Sequence, residues 1–249
     1  MGELSPGAVS GFEAVIHLAG ESIAGRWTAQ KKKAIRESRV HGTRTVAAAL
    51  ARAESKPRVF VCASAIGFYG NRGDEILTEQ SPGGNGYLVD VSRDWEAMSG
   101  IAAEAGIRTV NLRLGLVLSR RGAALAKMLP VFKLGAGGKL GSGKQWWSWI
   151  HIDDMVEAVR HIIQTDTVSG PVNFVSPNPV RNEEFTKTLA SLLGRPAFFS
   201  VPAFAMRLAL GEAADELMLA SQRVEPAALK ASGYTFQYGD LRAALENLI

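Results

Sequence analysis

The stretch Arg58-Val-Phe-Val-Cys-Ala-Ser64 is a short, continuous run of β-branched, aromatic and small side chains. A loop that contains Gly67, Gly70 and Gly73 follows it. Apolar runs of this length without polar alternation are typical of strands that are covered on both faces of a parallel sheet. The stretch therefore predicts a central parallel strand whose carboxyl end opens into a glycine-containing loop.

Strand and helix patterns alternate on both sides of this central stretch. The alternation predicts a doubly wound parallel α/β sheet, which occupies residues 1–175. The predicted elements are a strand Glu13–Leu18, a helix capped by Thr28 that runs to about Ala53, a helix Tyr87–Ala105 ended by Gly106, a strand Arg108–Leu114, a helix Ala123–Leu134 interrupted by Pro130, a loop Gly135–Gly143, a strand Trp146–Ile152, a helix capped by Asp153, and a strand Val172–Val175.

The pattern changes beyond about Ser176, where helices predominate. These elements predict a small, mostly helical C-terminal lobe over residues 176–249, which would lie on the substrate side of the sheet. They are helices at Asn182–Leu193, Ala203–Leu210 and Pro226–Ser232, a short strand Tyr234–Tyr238, and a last helix from Asp240.

The composition of the 249 residues, 47% hydrophobic and 21% charged, is typical of a globular protein. The longest apolar stretch, Val59–Tyr69, is shorter than the ~20 residues that span a bilayer. The first residues have neither the basic start nor the apolar segment of a signal peptide, and the single cysteine, Cys62, cannot form an internal disulfide. The sequence therefore predicts a cytoplasmic protein with no membrane partner.

The net charge of +4 raises the question of nucleic acid binding. The densest basic run, Lys31-Lys32-Lys33, opens a helix and forms no stripe, and no zinc-finger or helix-turn-helix pattern accompanies it. A solvated helix face explains these lysines better, so nucleic acid is not a predicted partner.

Four segments in order carry a family resemblance. They are Val15-Ile-His-Leu-Ala-Gly-Glu21, Arg39-Val-His-Gly-Thr-Arg44, Ser64-Ala-Ile-Gly-Phe-Tyr-Gly70 and Trp147-Ser-Trp-Ile-His-Ile-Asp-Asp-Met155. Together they resemble extended short-chain dehydrogenases/reductases, and more narrowly the atypical epimerase-like subfamily with a C-terminal domain of unknown function. Trp95-Glu96, the loop Gly135–Lys144 and the tail from Val201 match as well, so the resemblance covers nearly the whole chain. It implies a Rossmann-like fold and NADP or NAD as cofactor.

The sequence departs from that family at its amino end. Family members begin with a strand and a glycine-rich turn that holds the dinucleotide pyrophosphate at a helix N-terminus. The segment Gly2–Gly11 contains glycines, but no strand precedes it and no helix follows it. By comparison with the family, the chain begins after the first strand-helix-strand unit. This predicts an exposed apolar sheet edge that favours aggregation or a homodimer, and it leaves the choice between NAD and NADP open.

A second departure concerns the catalytic pair. The family uses a tyrosine as acid/base and a lysine one helical turn later, whose ammonium lowers the phenol pKa. With Glu96 taken as the acidic residue that follows this motif, the two positions hold Leu88 and Ser92. Proton transfer would therefore need another group. The candidate catalytic residues are Ser64 and Tyr69, neither of which has a partner that the sequence reveals.

The candidate cofactor-binding residues lie where predicted strands end, because open α/β sheets bind ligands at the carboxyl edge. Ser64 also approximately matches the substrate-activating serine of the family. A structural role is nearly as plausible for the two residues that end the third strand. The candidates are Leu18, Ala19, Gly20, Ser64, Arg113 and Leu114.

Arg39 is a further candidate, because it lies with Ile35 and Leu50 on the helix face that should pack against the sheet. A buried guanidinium without a partner is costly. Two alternatives satisfy it. Either Arg39 joins an internal ion pair, or it reaches the carboxyl edge beside Ala19 and Gly20, where a cofactor phosphate or substrate anion supplies the charge.

Two other motifs suggest a functional site, but the residues around them argue against it. The segment Gly138-Lys-Leu-Gly-Ser-Gly-Lys-Gln145 resembles a phosphate-binding loop, but Gln145 replaces the magnesium-binding hydroxyl and a strand pattern follows it. For His151, Asp153 and Asp154, a helix cap at Asp153 is a better interpretation than a metal site, and strand alternation points His151 and Asp153 to one side. No metal is predicted.

Two functions from different classes remain open. The first is an NAD(P)-binding, oxidoreductase- or epimerase-like protein that acts on an unknown small molecule between the sheet edge and the C-terminal lobe. The second is a non-catalytic binding or regulatory module that uses the same fold. Whether the protein turns over a substrate is not decided by the sequence.

Overall fold

The computed structural model describes residues 4–249. The strands are β1 (Ala14–His17), β2 (Val59–Ala65), β3 (Ile76–Leu77), β4 (Arg108–Leu114), β5 (Leu116–Leu118), β6 (Gly138–Leu140), β7 (Trp146–Trp147), β8 (Trp149–His151), β9 (Gly170–Phe174), β10 (Val180–Arg181), β11 (Phe199–Val201) and β12 (Arg223–Val224). The α-helices are α1 (Ala29–Ala51), α2 (Tyr87–Glu104), α3 (Ala123–Lys133), α4 (Ile152–Gln164), α5 (Asn182–Leu192), α6 (Ala203–Leu210), α7 (Glu212–Ala214), α8 (Ala227–Ala231) and α9 (Leu241–Leu248). A π-helical turn covers Asp215–Leu219.

The central sheet is parallel, with the strand order β1-β2-β4-β9. Side chains of β2 alternate between two helical layers. Phe60 and Cys62 pack with residues of α1 and α2, whereas Val59 and Val61 pack with residues of α4 and α8. Apolar contacts on both faces explain why β2 has no polar alternation. The predicted doubly wound parallel fold is confirmed.

The first long helix begins as its sequence indicates. The Thr28 hydroxyl accepts a hydrogen bond from the Lys31 backbone N–H at 3.1 Å, which satisfies one of the free donors of the first turn. The predicted interruption of α3 at Pro130 is wrong, because the helix continues to Lys133. Leu125 and Phe132, on either side of Pro130, are buried in one core cluster, and their packing holds the last turn in place.

The segment predicted as one strand, Trp146–Ile152, is divided between two sheets. β7 pairs antiparallel with β10, and β8 pairs parallel with β5. Part of the predicted loop Gly135–Gly143 is also strand, since β6 pairs with β11. Pairing with strands that are distant in the sequence determines where these strands form, and the local sequence pattern carries no information about such pairing.

Asp154 accounts for two further corrections. Because α4 begins at Ile152, His151 and Asp154 are three residues apart at a helix start and share its inner face, while Asp153 is exposed. The His151 ring, and not Asp153, caps α4 by accepting from the Asp153 N–H at 3.1 Å. The buried Asp154 carboxylate accepts from the N–H groups of Gln237 and Tyr238, both at 2.8 Å. These donors are therefore unavailable to a sheet, and the predicted strand Tyr234–Tyr238 does not form.

The C-terminal residues share their cores with the sheet domain. One cluster joins Leu118 and Trp149 to Phe185 and Leu245, and Leu229 packs with β2 and β4. The division at residue 175 remains a prediction. Within residues 4–249, no helix combines the length and apolar character that a membrane crossing requires.

β1 forms one edge of the described central sheet. Ile16 within it and Phe12 and Leu18 beside it are exposed. Unpaired edges with apolar side chains promote self-association. We expect Ile16→Lys to reduce concentration-dependent association, measured by sedimentation velocity. Ile76→Lys, at an exposed isoleucine of β3, is the control and should associate like the parent chain. Equal association of both variants with the parent would exclude the β1 edge as the contact.

Acid should destabilise the fold through His151, which is buried and stacked on Tyr238. Burial lowers the pKa of His151 from 6.5, and the charges of Asp153 and Asp154 offset only part of this. The unfolded chain therefore binds a proton first, so stability is full above about pH 6.5 and is lost as the pH falls toward the folded-state pKa.

We expect His151→Asn, which keeps a neutral cap acceptor, to lose less stability than the parent between about pH 7 and about pH 5.5. Urea unfolding at a series of pH values measures this. His41→Asn, at an exposed histidine of α1, is the control and should follow the parent. A parallel pH dependence of all three proteins would show that another group controls acid sensitivity.

Candidate functional site

The predicted site residues meet at the carboxyl edge of the sheet. Ser64 and Ala65 pair with Arg113 and Leu114, so β2 and β4 end at the same level. His17, the last residue of β1, pairs with Cys62, so β1 ends three residues earlier and residues 18–20 follow it. Residues 18–20, which follow β1, are exposed, Leu114 is half-buried, and Ser64 and Arg113 are buried. The structure thus brings together Leu18, Ala19, Gly20, Ser64, Arg113 and Leu114.

Arg39 reaches this edge from α1 and lies beside Gly20, as in the second of the two alternatives that the sequence left open. A Cβ atom at Gly20 would lie 3.3 Å from the Arg39 Cζ atom, so glycine leaves room for the guanidinium. Nη1 donates to the Glu21 carbonyl oxygen at 2.9 Å, and Cζ lies 5.0 Å from the centre of the Trp95 ring.

The charge of Arg39 has no close counterpart in the described structure. Among residues 4–249, no carboxylate oxygen lies within 4.0 Å of its guanidinium, so the internal ion pair is not observed. Burial lowers the pKa of Arg39, against the weaker opposing influence of Tyr87 and Glu21. A cation that is partly desolvated and incompletely compensated is suited to an anionic ligand.

Ser64 and Tyr69 belong to a buried polar network centred on Glu96. Ser64 Oγ donates to Glu96 Oε1 at 2.6 Å. Arg113 donates to both carboxylate oxygens, each at 2.9 Å, and its Nη1 donates to the Tyr69 hydroxyl at 3.0 Å. The Tyr69 hydroxyl donates in turn to Asn173 Oδ1 at 2.7 Å. The network therefore connects the end of β2, α2, β4 and β9.

This network defines the protonation states of its members. Burial raises the pKa of Tyr69, and Arg113 and Asn173 lower it by less, so the phenol stays protonated and is a poor base. Burial alone would lower the pKa of Arg113, but the hydrogen bonds and charge of Glu96 raise it above its ordinary value. The Arg113 guanidinium is thus held in a bidentate ion pair, and its structural role is the one that the geometry supports.

Glu96 and Asn173 are partners that sequence reasoning missed. Glu96 served there to set the register of the absent catalytic pair and as part of the family resemblance, although a carboxylate next to Trp95, which lies on the apolar stripe of the helix, was a signal of a buried ion pair. At the two positions of that pair, Leu88 is half-buried and Ser92 is buried. Neither side chain can act as a phenol or an ammonium.

A cavity of about 230 Å³ lies between the loop after β2 and the C-terminal residues 207–222. Its sheet-domain wall contains Gly67, Gly70 and Leu88. Three amides and three charged side chains also line it, namely Asn71, Asn85, Gln222, Arg207, Asp215 and Glu216. The predicted substrate position, between the sheet edge and the C-terminal lobe, therefore contains a polar cavity.

The other features of the sequence that were considered as functional sites are a metal site, a phosphate-binding loop, Cys62 and His17. Within the described part of the chain, no group of three His, Cys, Asp or Glu side chains is arranged to hold a metal ion. The segment that resembles a phosphate-binding loop leads into β7 and not into a helix. Burial raises the pKa of the Cys62 thiol to about 12, and His17 is half-buried with its pKa lowered by burial.

Comparison with known proteins places the chain in a family. The profile described as "NAD dependent epimerase/dehydratase family" matches residues 7–174, which is more than half of the chain. The chain belongs to this family. A second profile, a domain of unknown function named DUF1731, matches residues 201–248. The family resemblance that the sequence indicated, including its C-terminal domain, is confirmed.

Individual members of the epimerase/dehydratase family are similar over almost the whole chain. An Arabidopsis thaliana protein, "Epimerase family protein SDR39U1 homolog, chloroplastic", is 40% identical over 97% of this chain and 70% of its own length. The Bacillus subtilis epimerase family protein YfhF is 39% identical over 94% of this chain and 77% of its own. The crystal structure of human epimerase family protein SDR39U1 (isoform 2) with NADPH superimposes with a TM-score of 0.91 at 33% identity, over 95% of this chain and 81% of that one.

Two features of the carboxyl edge bear on a dinucleotide cofactor in this family member. The Arg39 guanidinium beside the exposed Gly20 fits a phosphate oxygen. By contrast, Gly20 is separated from the start of α1 at Ala29 by a largely exposed segment, so β1 and α1 are not joined by a tight turn into a helix N-terminus. The described residues fit a phosphate contact at Arg39 but not a pyrophosphate cradle between β1 and α1.

Proposed function

We propose that this protein binds NADP(H) or NAD(H) at the carboxyl edge of its sheet and acts as an oxidoreductase- or epimerase-like protein on a small molecule in the adjacent cavity. The cytoplasm, where Cys62 remains reduced, is the proposed compartment. The observation that carries the proposal is the Arg39 guanidinium, which lies beside exposed residues 18–20 without a carboxylate partner among residues 4–249. The similar human structure, which was solved with NADPH, supports it.

In this proposal Arg39 donates hydrogen bonds to a phosphate, and residues 18–20 offer a small, exposed backbone against which the cofactor packs. A bound nicotinamide supplies hydride transfer. Ser64 remains the proposed substrate-side hydroxyl. Because its proton is donated to Glu96, Ser64 presents lone pairs and so accepts a hydrogen bond from a substrate hydroxyl. Tyr69 remains a proposed catalytic-site residue, as a protonated hydroxyl that Arg113 holds in place.

A second candidate function is a non-catalytic ligand-binding module on the same fold. The hydroxyls of Ser64 and Tyr69 already donate to protein acceptors, and Leu88 and Ser92 occupy the positions of the catalytic pair. These features favour a protein that binds a ligand without converting it, since the two hydroxyls already donate hydrogen bonds and the catalytic tyrosine and lysine are replaced.

Two assays on the same preparation separate these functions. Titration with NADPH and with NADH, followed by nicotinamide fluorescence, measures binding. A panel of carbonyl compounds, followed by loss of absorbance of the reduced cofactor, measures turnover. Binding with turnover supports the enzyme, and binding without turnover supports the module. Absence of binding for both cofactors would refute the proposed cofactor site.

A further inference from the structure

A carboxylate from the C-terminal part of the chain closes the amino end of α2. Glu216 Oε1 accepts from the Tyr87 N–H, and Oε2 accepts from the Leu88 N–H, both at 2.7 Å. The residue before the helix is Gly86, with φ 133°, and it has no side chain that could cap α2. A Cβ atom at Gly86 would lie 2.9 Å from Glu216 Oε1. The sequence at this helix start therefore leaves the position open for a distant carboxylate.

Glu216 also forms part of the wall of the 230 Å³ cavity, and its charge determines the electrostatics there. The amino end of an 18-residue helix would otherwise attract an anion through its free N–H groups and its dipole. Glu216 occupies two of those donors and supplies the negative charge itself. A phosphate or carboxylate that enters this cavity meets an occupied donor pair and a like charge.

The other charged side chains of the cavity do not compensate Glu216. Arg207 is the cation of the lining, and it is paired with Asp215 at 2.9 Å. Among residues 4–249, no cationic side chain lies within 4.0 Å of the Glu216 carboxylate. The described lining therefore carries a net negative charge, which disfavours anions.

The remaining polar groups of the cavity are neutral side-chain amides that can still form hydrogen bonds with a ligand. Asn71 Oδ1 accepts from the Ser221 N–H at 3.0 Å, which leaves its NH₂ group for a ligand. Gln222 Nε2 donates to the Ile66 carbonyl at 3.1 Å, which leaves its carbonyl oxygen. Asn85 adds an amide to the lining. Such a set offers both donors and acceptors to an uncharged, hydrogen-bonding ligand.

We propose that the cavity takes a neutral part of a small molecule that carries hydroxyl or amide groups, and that Glu216 determines this specificity by excluding phosphates and carboxylates. The assignment of the cavity to the substrate rests on the proposed function. The selectivity itself rests on the contacts of Glu216 and on the lining.

A matched pair of probes tests this selectivity. Glycerol and glycerol 3-phosphate share a carbon skeleton and differ in charge, and the side-chain amide resonances of Asn71, Asn85 and Gln222 report binding in nitrogen-15 NMR spectra. In the parent protein we expect glycerol to shift these resonances and glycerol 3-phosphate to bind more weakly by roughly tenfold or more, because it must approach a like charge.

Removal of the carboxylate should reverse the order. In Glu216→Ala, we expect glycerol 3-phosphate to become the tighter probe and to shift the backbone amides of Tyr87 and Leu88, which are then free. Glu212→Ala is the matched control, because it removes an ion pair with Lys32 nearby without changing the cavity lining. If Glu216→Ala unfolds, Glu216→Gln replaces it in the test, because glutamine keeps a hydrogen-bond acceptor but carries no charge. In this variant we expect a smaller difference in affinity between glycerol and glycerol 3-phosphate.

Two results would overturn the proposal. One is equal binding of both probes to the parent protein, and the other is the absence of any shift of the cavity amides with either probe. NADPH titration of the same samples keeps the two proposals separate. Loss of NADPH binding with intact probe selectivity would refute the cofactor function alone, whereas NADPH binding without probe selectivity would refute the role of Glu216 alone.

Discussion

Glu96→Ala is expected to lower the free energy of unfolding by about 3–5 kcal/mol, the cost of breaking a buried ion pair by removing one partner. The Glu96 carboxylate accepts hydrogen bonds from Ser64 and twice from Arg113. Without it, the Arg113 guanidinium, which is 4% exposed, keeps its charge with the Tyr69 hydroxyl as its remaining hydrogen-bond partner and the Phe68 ring 3.6 Å from its Cζ atom. Urea unfolding measures the loss.

Two further variants serve as controls for the expected effect of Glu96→Ala on stability. Glu104→Ala lies on the same helix at an exposed position and should change stability by about 0.5 kcal/mol or less. Adding Arg113→Met to Glu96→Ala removes the stranded charge and should recover part of the loss, since the two residues are coupled. If Glu96→Ala costs no more than Glu104→Ala, the network does not stabilise the fold.

Arg39→Met is expected to weaken NADPH binding by about 1.5–3 kcal/mol, the range for a hydrogen bond to a charged group, which corresponds to roughly 10- to 150-fold in Kd. The apo protein should lose little stability, because Arg39 has no carboxylate partner among residues 4–249 and methionine can fill the space against Trp95. Fluorescence titration and thermal unfolding of the same samples provide the two measurements.

The control for Arg39 is Arg44→Met, at an exposed position of the same helix. It removes the same charge away from the sheet edge and should leave NADPH affinity unchanged. An unchanged affinity in Arg39→Met together with a large loss of thermal stability would identify Arg39 as a structural residue and remove it from the site.

The sequence predicted those parts of the fold that local patterns encode. The apolar run of β2 is buried on both faces, so its pattern needed no knowledge of its neighbours. Thr28 caps α1 through an N–H three residues away, which is a local interaction. Helix periodicity also placed Arg39 on the face of α1 that meets the sheet, but it left open whether Arg39 joins an internal ion pair or lies beside Gly20.

The features that escaped prediction depend on distant partners. Ser64 and Glu96 are separated by 32 residues, and Glu216 and Tyr87 by 129. No local pattern distinguishes a carboxylate that caps a remote helix from one that faces solvent. The prediction that His151 and Asp153 point to one side failed for a local reason, because the helix start at Ile152 replaced strand alternation by helical spacing and brought His151 and Asp154 to the same face.

The position of Cys62 in the middle of β2 gives the protein a built-in kinetic probe. Its side chain is fully buried, and a thiol with a pKa of about 12 contains almost no thiolate at neutral pH, although the thiolate is the form that reacts with alkylating reagents. Modification of this single thiol therefore requires separation of β2 from the helices that cover it. The rate of alkylation in native buffer thus measures how often the central sheet opens, without any introduced label.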